Sequence, residues 1–204
     1  MAEIDTVLAF PEVPDSATVS DTAANIATDL AFGGSSDLLA NNAMLFAITN
    51  SNAGAITLTS AQVQAAGVND GAGSVLSNVT GGSLIVTGVA VADIDTILAL
   101  DVSPASITIS DTAAHIQAAL ALGGSSDILA ALGTITGITV SNAGVVSLTL
   151  AQMQVAGVND GAGSAAALLS PHLTATQINS VLSDIYGPSA ARVALHPRHP
   201  RVTS

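Results

Sequence analysis

The feature that most constrains this chain is a segment that occurs twice. Ala66-Gly67-Val68-Asn69-Asp70-Gly71-Ala72-Gly73-Ser74 returns letter for letter at residues 156–164. The match runs well beyond these nine residues. At a constant offset of 90, without a gap, 43 of the 71 positions from 4 to 74 equal their counterparts. Ile4-Asp5-Thr6 meets Ile94-Asp95-Thr96, Ser20-Asp21-Thr22 meets Ser110-Asp111-Thr112, and Ser51-Asn52-Ala53-Gly54 meets residues 141–144. A duplication at this level means two equivalent units, each able to stack on the other.

Within a unit the hydrophobic period alternates between two and 3.6. Residues 17–20 and 107–110 are short β-branched runs that read as strands. Ser20 or Asp21, and likewise Ser110 or Asp111, has the side chain to cap a following helix. That helix runs from Thr22 to Ala31, with Ile26 and Leu30 on one face as Ile116 and Leu120 are in the second copy. Gly33-Gly34 stops it, and Ser35-Ser36-Asp37 opens a second short helix, with Asp37 and Asp127 read as caps. Residues 45–50 and 55–59, like 135–141 and 145–150, flank a three-residue Asn-Ala-Gly turn and predict a β-hairpin. A short helix over 61–66 then ends at Gly67. Ser83 to Val91 is the strongest β segment of the chain.

The second copy is followed instead by Thr174 to Ile185, an amphipathic helical pattern, and by a tail holding Arg192, Arg198 and Arg201. The expected fold is therefore α+β: two β-α-β-β-α units of 90 residues, β-rich with short helices, and elongated. Unit one with its connecting β segment spans 1–92, unit two with a capping helix 93–186, and the basic Pro/His/Arg tail 187–204.

Composition narrows the function classes. Only 9% of residues are charged, the net charge is −12, and there is no Lys. Phosphate backbones need surface Lys and Arg, so nucleic acid is excluded as an expected partner, as is docking on anionic membranes. The sign suits divalent cations. Residues 38–69 and 128–159 carry no charge, yet Ser, Asn and Gly break both before about 20 apolar residues accumulate, so no membrane insertion is expected. Aromatics at 2% fill a thick core poorly and favour thin layers. There is no Cys to form disulfides, and Met1 to Phe10 shows neither the basic nor the apolar region of a cleaved signal peptide.

The duplicated loops are the candidate metal sites. Asn69 and Asp70, with Asn159 and Asp160, offer amide and carboxylate oxygens on a glycine-rich turn that could curl around calcium. The alternative reading is a helix stop at Gly67 followed by an Asx-type turn. Asp5, Asp93 and Asp95 read as a solvated edge. No motif supplies a catalytic constellation: Walker A needs the missing Lys, and neither G-x-S-x-G nor H-E-x-x-H occurs. His115 stands where the first copy has Asn25, which marks an exposed, interchangeable position, and His172 is the other candidate base. His196 and His199 read as part of a basic end. The chain is expected not to be an enzyme.

Val19-Ser20-Asp21-Thr22-Ala23-Ala24-Asn25-Ile26, and its second form Ile109 to Ile116, is similar to the "SDTAANI" repeats of very large bacterial secreted proteins. These are RTX-type adhesins and surface-layer-like proteins exported by type I secretion. The resemblance covers the helix-and-strand portions of both copies, and the chain lacks the glycine-aspartate nonapeptide runs of that family. It implies an extracellular structural or adhesive role, with export that needs no cleaved signal. The expected function is a self-assembling filament or surface-layer-like subunit whose partner is itself, by strand addition through Ser83–Val91 and Ile4–Phe10. The alternative is a calcium-dependent adhesion module of a larger repeat protein.

Overall fold

The computed structural model describes residues 16–170. The readings on Ile4–Phe10, His172, Thr174–Ile185 and the basic tail lie outside them. The chain runs β1 (Ala17–Asp21), α1 (Ala23–Leu30), α2 (Asp37–Ala40), β2 (Leu45–Asn50), β3 (Ala55–Thr59), α3 (Ser60–Val63), β4 (Val79–Thr80) and β5 (Ser83–Val89). It continues through α4 (Ile94–Leu98), β6 (Ser106–Asp111), α5 (Ala113–Ala121), α6 (Asp127–Ala130), β7 (Ile135–Val140), α7 (Leu150–Met153), α8 (Ala165–Leu168) and β8 (Leu169–Ser170). Short 3-10 turns fill several of the joints.

Two sheets result, and every strand pair in them is parallel. One has the order β1-β2-β4 and the other β3-β5-β6-β7-β8. Ala17 pairs with Leu45 and Ile107 with Ile135, so a crossover of helices and loop separates each of these partners. The fold is mixed α/β, with several short helices and two parallel sheets.

This corrects the hairpin expectation. β2 and β3 follow one another across residues 51–54, but they lie in different sheets. Asn52 explains why. Its side-chain oxygen accepts from Ala23 N at the start of α1 and from Gly54 N, both at 3.1 Å. The turn is thus tied to the helix that follows β1, and it bends the chain around a corner instead of folding it back on itself. Asn142 repeats the arrangement on Ala113 N and Gly144 N. Against this first corner lies the one between β4 and β5. There Gly82 has φ +78°, and a Cβ would sit 2.2 Å from both Asn50 Nδ2 and the Gly54 carbonyl oxygen. Only glycine lets the two corners stack so closely.

α1 and α5 form where the periodicity placed them, whereas the helix expected over 61–66 is shorter, at Ser60–Val63, and α4 and α8 were not expected. Ile26, Leu30, Ile116 and Leu120 are all buried. Burying such a side chain is worth about 2 kcal/mol, against roughly 1 kcal/mol for a cap, so packing holds these short helices in place. Their N-caps are nevertheless one residue from those expected. Ser20 and Asp21 are still in β1, so Thr22 caps α1, and Thr112 caps α5. Ser36 and Ser126 cap α2 and α6, while Asp37 and Asp127 occupy the first turn, where the helix dipole favours a carboxylate.

The hydrophobic core is continuous and aliphatic. It joins Ile48, Ile56 and Leu58 of the first copy to Ile107, Ile109 and Ile138 of the second through Leu84, Val86 and Val89 of β5. β5 is consequently no free contact strand, contrary to the expectation for Ser83–Val91. It is paired with β3 on one side and β6 on the other. No helix among the described residues is long and apolar enough to cross a membrane.

Candidate functional site

The duplicated loops begin where α3 and α7 end. Thr59 and Thr149 close capping boxes with Gln62 and Gln152, which fixes the entry of each short helix. Gly67 and Gly157 then take φ +81° and +85°, and the chain turns sharply. The Asp70 carboxylate accepts from Gly67 N at 2.9 Å, and Asp160 from Gly157 N at the same distance. Each aspartate thus pins the glycine turn three residues before it, a bond that runs back along the chain, whereas an Asx turn closes on the residue two positions ahead. Both remain exposed.

The asparagines part company. Asn69 is 1% exposed and grips the backbone of Val102. Its Oδ1 accepts from Val102 N at 2.8 Å, and its Nδ2 donates to the Val102 carbonyl at 2.9 Å. One side chain therefore satisfies both polar groups of a distant residue, as a neighbouring strand would. Asn159 is exposed. The counterpart of Val102 is Arg192, outside the described residues. Sequence reasoning placed Asn69 in a ligand role and missed the clasp, because its partner is 33 positions away with no local signal.

Elsewhere the acidic groups serve helix starts. Asp21 Oδ1 accepts from Thr22 N at 2.7 Å and from Asn25 Nδ2 at 2.6 Å. The bond from Asn25 is the main cause that holds its carboxyl below the ordinary carboxylate value, with Thr22 N adding to it against a little burial. Asp111 makes the same contact with Thr112 N, and His115 Nδ1 replaces the amide of Asn25 at 2.7 Å. It also accepts from Val91 N at 2.9 Å. Burial opposes its ionisation, but these donors outweigh it and hold the carboxyl below the ordinary range. His115 is 68% exposed, as its exchange with Asn25 suggested.

Asp29 has no acidic counterpart, since Ala119 replaces it. It is buried and accepts from Ser36 Oγ at 2.5 Å, Asp37 N at 3.2 Å and Leu38 N at 3.1 Å, so it braces the start of α2. Asp93 is half-buried and Asp95 exposed, in keeping with an edge.

Clefts among the described residues accompany these features. One of about 420 Å³ lies between α5 and the segment after Asn142, lined by Ala114, Gln117, Ala121 and Val145. Another, of about 300 Å³, lies beside the Gly81–Gly82 corner against Ile56, Leu76 and Ser103. Neither cleft brings together an acid and a base. Among the described residues no group of three or more His, Asp or Glu converges on one point. No family model, curated protein or solved structure matches the chain.

Proposed function

We propose that this protein is a self-assembling extracellular structural subunit, of a filament or a surface-layer-like array, built from tandem 90-residue units in an elongated body. The observation that carries this reading is the joint between the copies: β6, the first strand described in the second copy, lies directly on β5 at the end of the first. The ladder at such a joint consists of backbone bonds, so it depends little on side-chain identity and can recur between molecules. The acidic, Lys-free surface and the resemblance to secreted repeat proteins support the location. The basic tail has the charge to dock on a neighbour's acidic body. This role requires no catalysis.

A second reading, a calcium-dependent adhesion module of a larger repeat protein, is favoured by the exposure of Asp70, Asn159 and Asp160 on glycine turns in a chain of charge −12. Electron microscopy and sedimentation of the purified chain, with calcium and with EDTA, separate the two. Large ordered assemblies that persist in EDTA are the expected result. Assembly or target adhesion that appears only with calcium supports the second reading. A chain that remains monomeric at high concentration overturns the first.

A further inference from the structure

We infer that the contact between molecules is polar and head-to-tail, with the outer edge of β1 in one copy taking residues 145–149 of a second copy as a parallel strand. This rests on the self-assembling reading and adds the two surfaces and their direction.

Inside the molecule β5 fills two edges at once, that of β3 and that of β6. Ninety residues before β6 stands β1, and ninety residues after β3 stand residues 145–149. Among the described residues neither has a strand on the corresponding edge. β1 pairs with β2 alone, and residues 145–149 join no ladder. The described residues thus present, at opposite ends of the duplicated sequence, the two kinds of edge that β5 joins within the molecule.

Burial among the described residues follows the same pattern. In β6, Ile107, Ile109 and Asp111 are buried, whereas their counterparts Ala17, Val19 and Asp21 in β1 are half-buried, and Thr18 and Ser20 are exposed. At the other end Val145 is 55% exposed, while Val146 is buried and Leu148 half-buried. β3 shows the same alternation, with Ile56 and Leu58 inward. Set beside β1, residues 145–149 place Val146 and Leu148 on the face shared by Ala17 and Val19.

Two further facts favour a second copy as the occupant. The counterparts of the buried β5 residues Leu84, Val86 and Val89 are Thr174, Thr176 and Asn179, so the chain does not repeat the sequence that closes this edge within it. In addition, neither β1 nor residues 145–149 contains proline, and the one charge among them, Asp21, stands at the last residue of β1 and accepts from Thr22 N at the start of α1.

The test uses the full chain and two single substitutions. Asp21 O accepts from Ser51 N, so Asp21 faces β2, and strand alternation turns the Ser20 N–H outward. Ser20→Pro removes that donor from an edge strand, where proline is tolerated. Val145→Asp places a charge at an exposed position on the opposite end. In sedimentation velocity the wild type is expected to form large species, and each variant alone to stay monomeric with the wild-type urea midpoint. An equimolar mixture of the two variants is expected to stop at dimers, because each retains the edge the other lacks. Should Ser20→Pro lower the urea midpoint, Thr18→Lys on the same edge replaces it. Variants that assemble like wild type, or monomeric variants whose mixture gives no dimer, overturn the head-to-tail contact and leave self-assembly standing. A monomeric wild type overturns the self-assembly beneath it.

Discussion

β1 and β6 occupy equivalent places in the duplicated sequence, and they share Thr, Ser and Asp at their second, fourth and fifth matched positions. Each is followed by a threonine-capped helix, and each lies parallel to the strand that follows it. They differ in what stands on the other side. β6 has β5 there, and its Ile109 is 1% exposed, whereas Val19 of β1 remains half-buried. The loops that close the copies differ in the same way. Asn69 clasps a residue that comes after its own copy, and Asn159 stands exposed. Nearly identical local sequence therefore yields local structure that is alike and burial that is not, because burial depends on the neighbour. Among the described residues, the two ends show a copy without one.

The largest test of this contrast compares Ser110→Pro with Ser20→Pro. Asp111 O accepts from Ser141 N, so alternation points the Ser110 N–H toward β5 in the middle of a five-stranded sheet. Loss of that donor is expected to cost about 3 kcal/mol, while Ser20→Pro costs less than about 1 kcal/mol. Urea denaturation under conditions that keep the chain monomeric measures both. Equal losses would show that β1 has a partner on its outer edge after all.

The next contrast lies in the loops. Asn69→Ala leaves the N–H and C=O of Val102 without their partner, and it is expected to destabilise by about 2 kcal/mol. Asn159→Ala is expected to stay within about 0.5 kcal/mol. Matching midpoints for the two variants would remove the clasp as a difference between the copies.

The smallest effect is in acid. Asp21 and Asp111 both have carboxyls held below the ordinary value, so each favours the folded state while ionised. That contribution is intact above about pH 4 and is lost as the pH falls through the lowered values. Thermal melts between about pH 6 and pH 2.5 should fall less steeply for Asp111→Asn than for the wild type. Asp21→Asn should flatten the profile less, since Asp111 also takes the N–H of Val91 and lies on the more buried strand. A wild-type slope in Asp111→Asn would rule out that carboxylate as a source of acid sensitivity.

How far the sequence could be read follows from the range of each interaction. Ile26 and Leu30 four apart, Ser36 before Asp37 and the glycines at 33 and 67 act within one turn of chain, so the helices and their stops were legible. The cap at Thr22 was missed by a residue because the preceding strand runs on to Asp21. The corner at Asn52 looked like a hairpin turn because its decisive bond goes to Ala23, 29 residues back. The clasp of Asn69 on Val102 is equally remote. Of the candidate loops, the helix stop at Gly67 was legible, while the bonds from Gly67 N to Asp70 and from Gly157 N to Asp160 run opposite to those of an Asx-type turn.

The sequence by itself determined that a segment recurs 90 residues on, roughly where the two longest helices lie, and which of their faces turn inward. Those properties depend on side chains within a few positions of one another. Only the tertiary structure decided that the sheets are parallel, that β2 and β3 part at a corner, and that β5 belongs to both copies at once. A strand's period of two states which face is apolar, but its ladder is made by backbone groups common to every residue. Which strand fills an edge is therefore settled by how the helices and corners fold the chain in space.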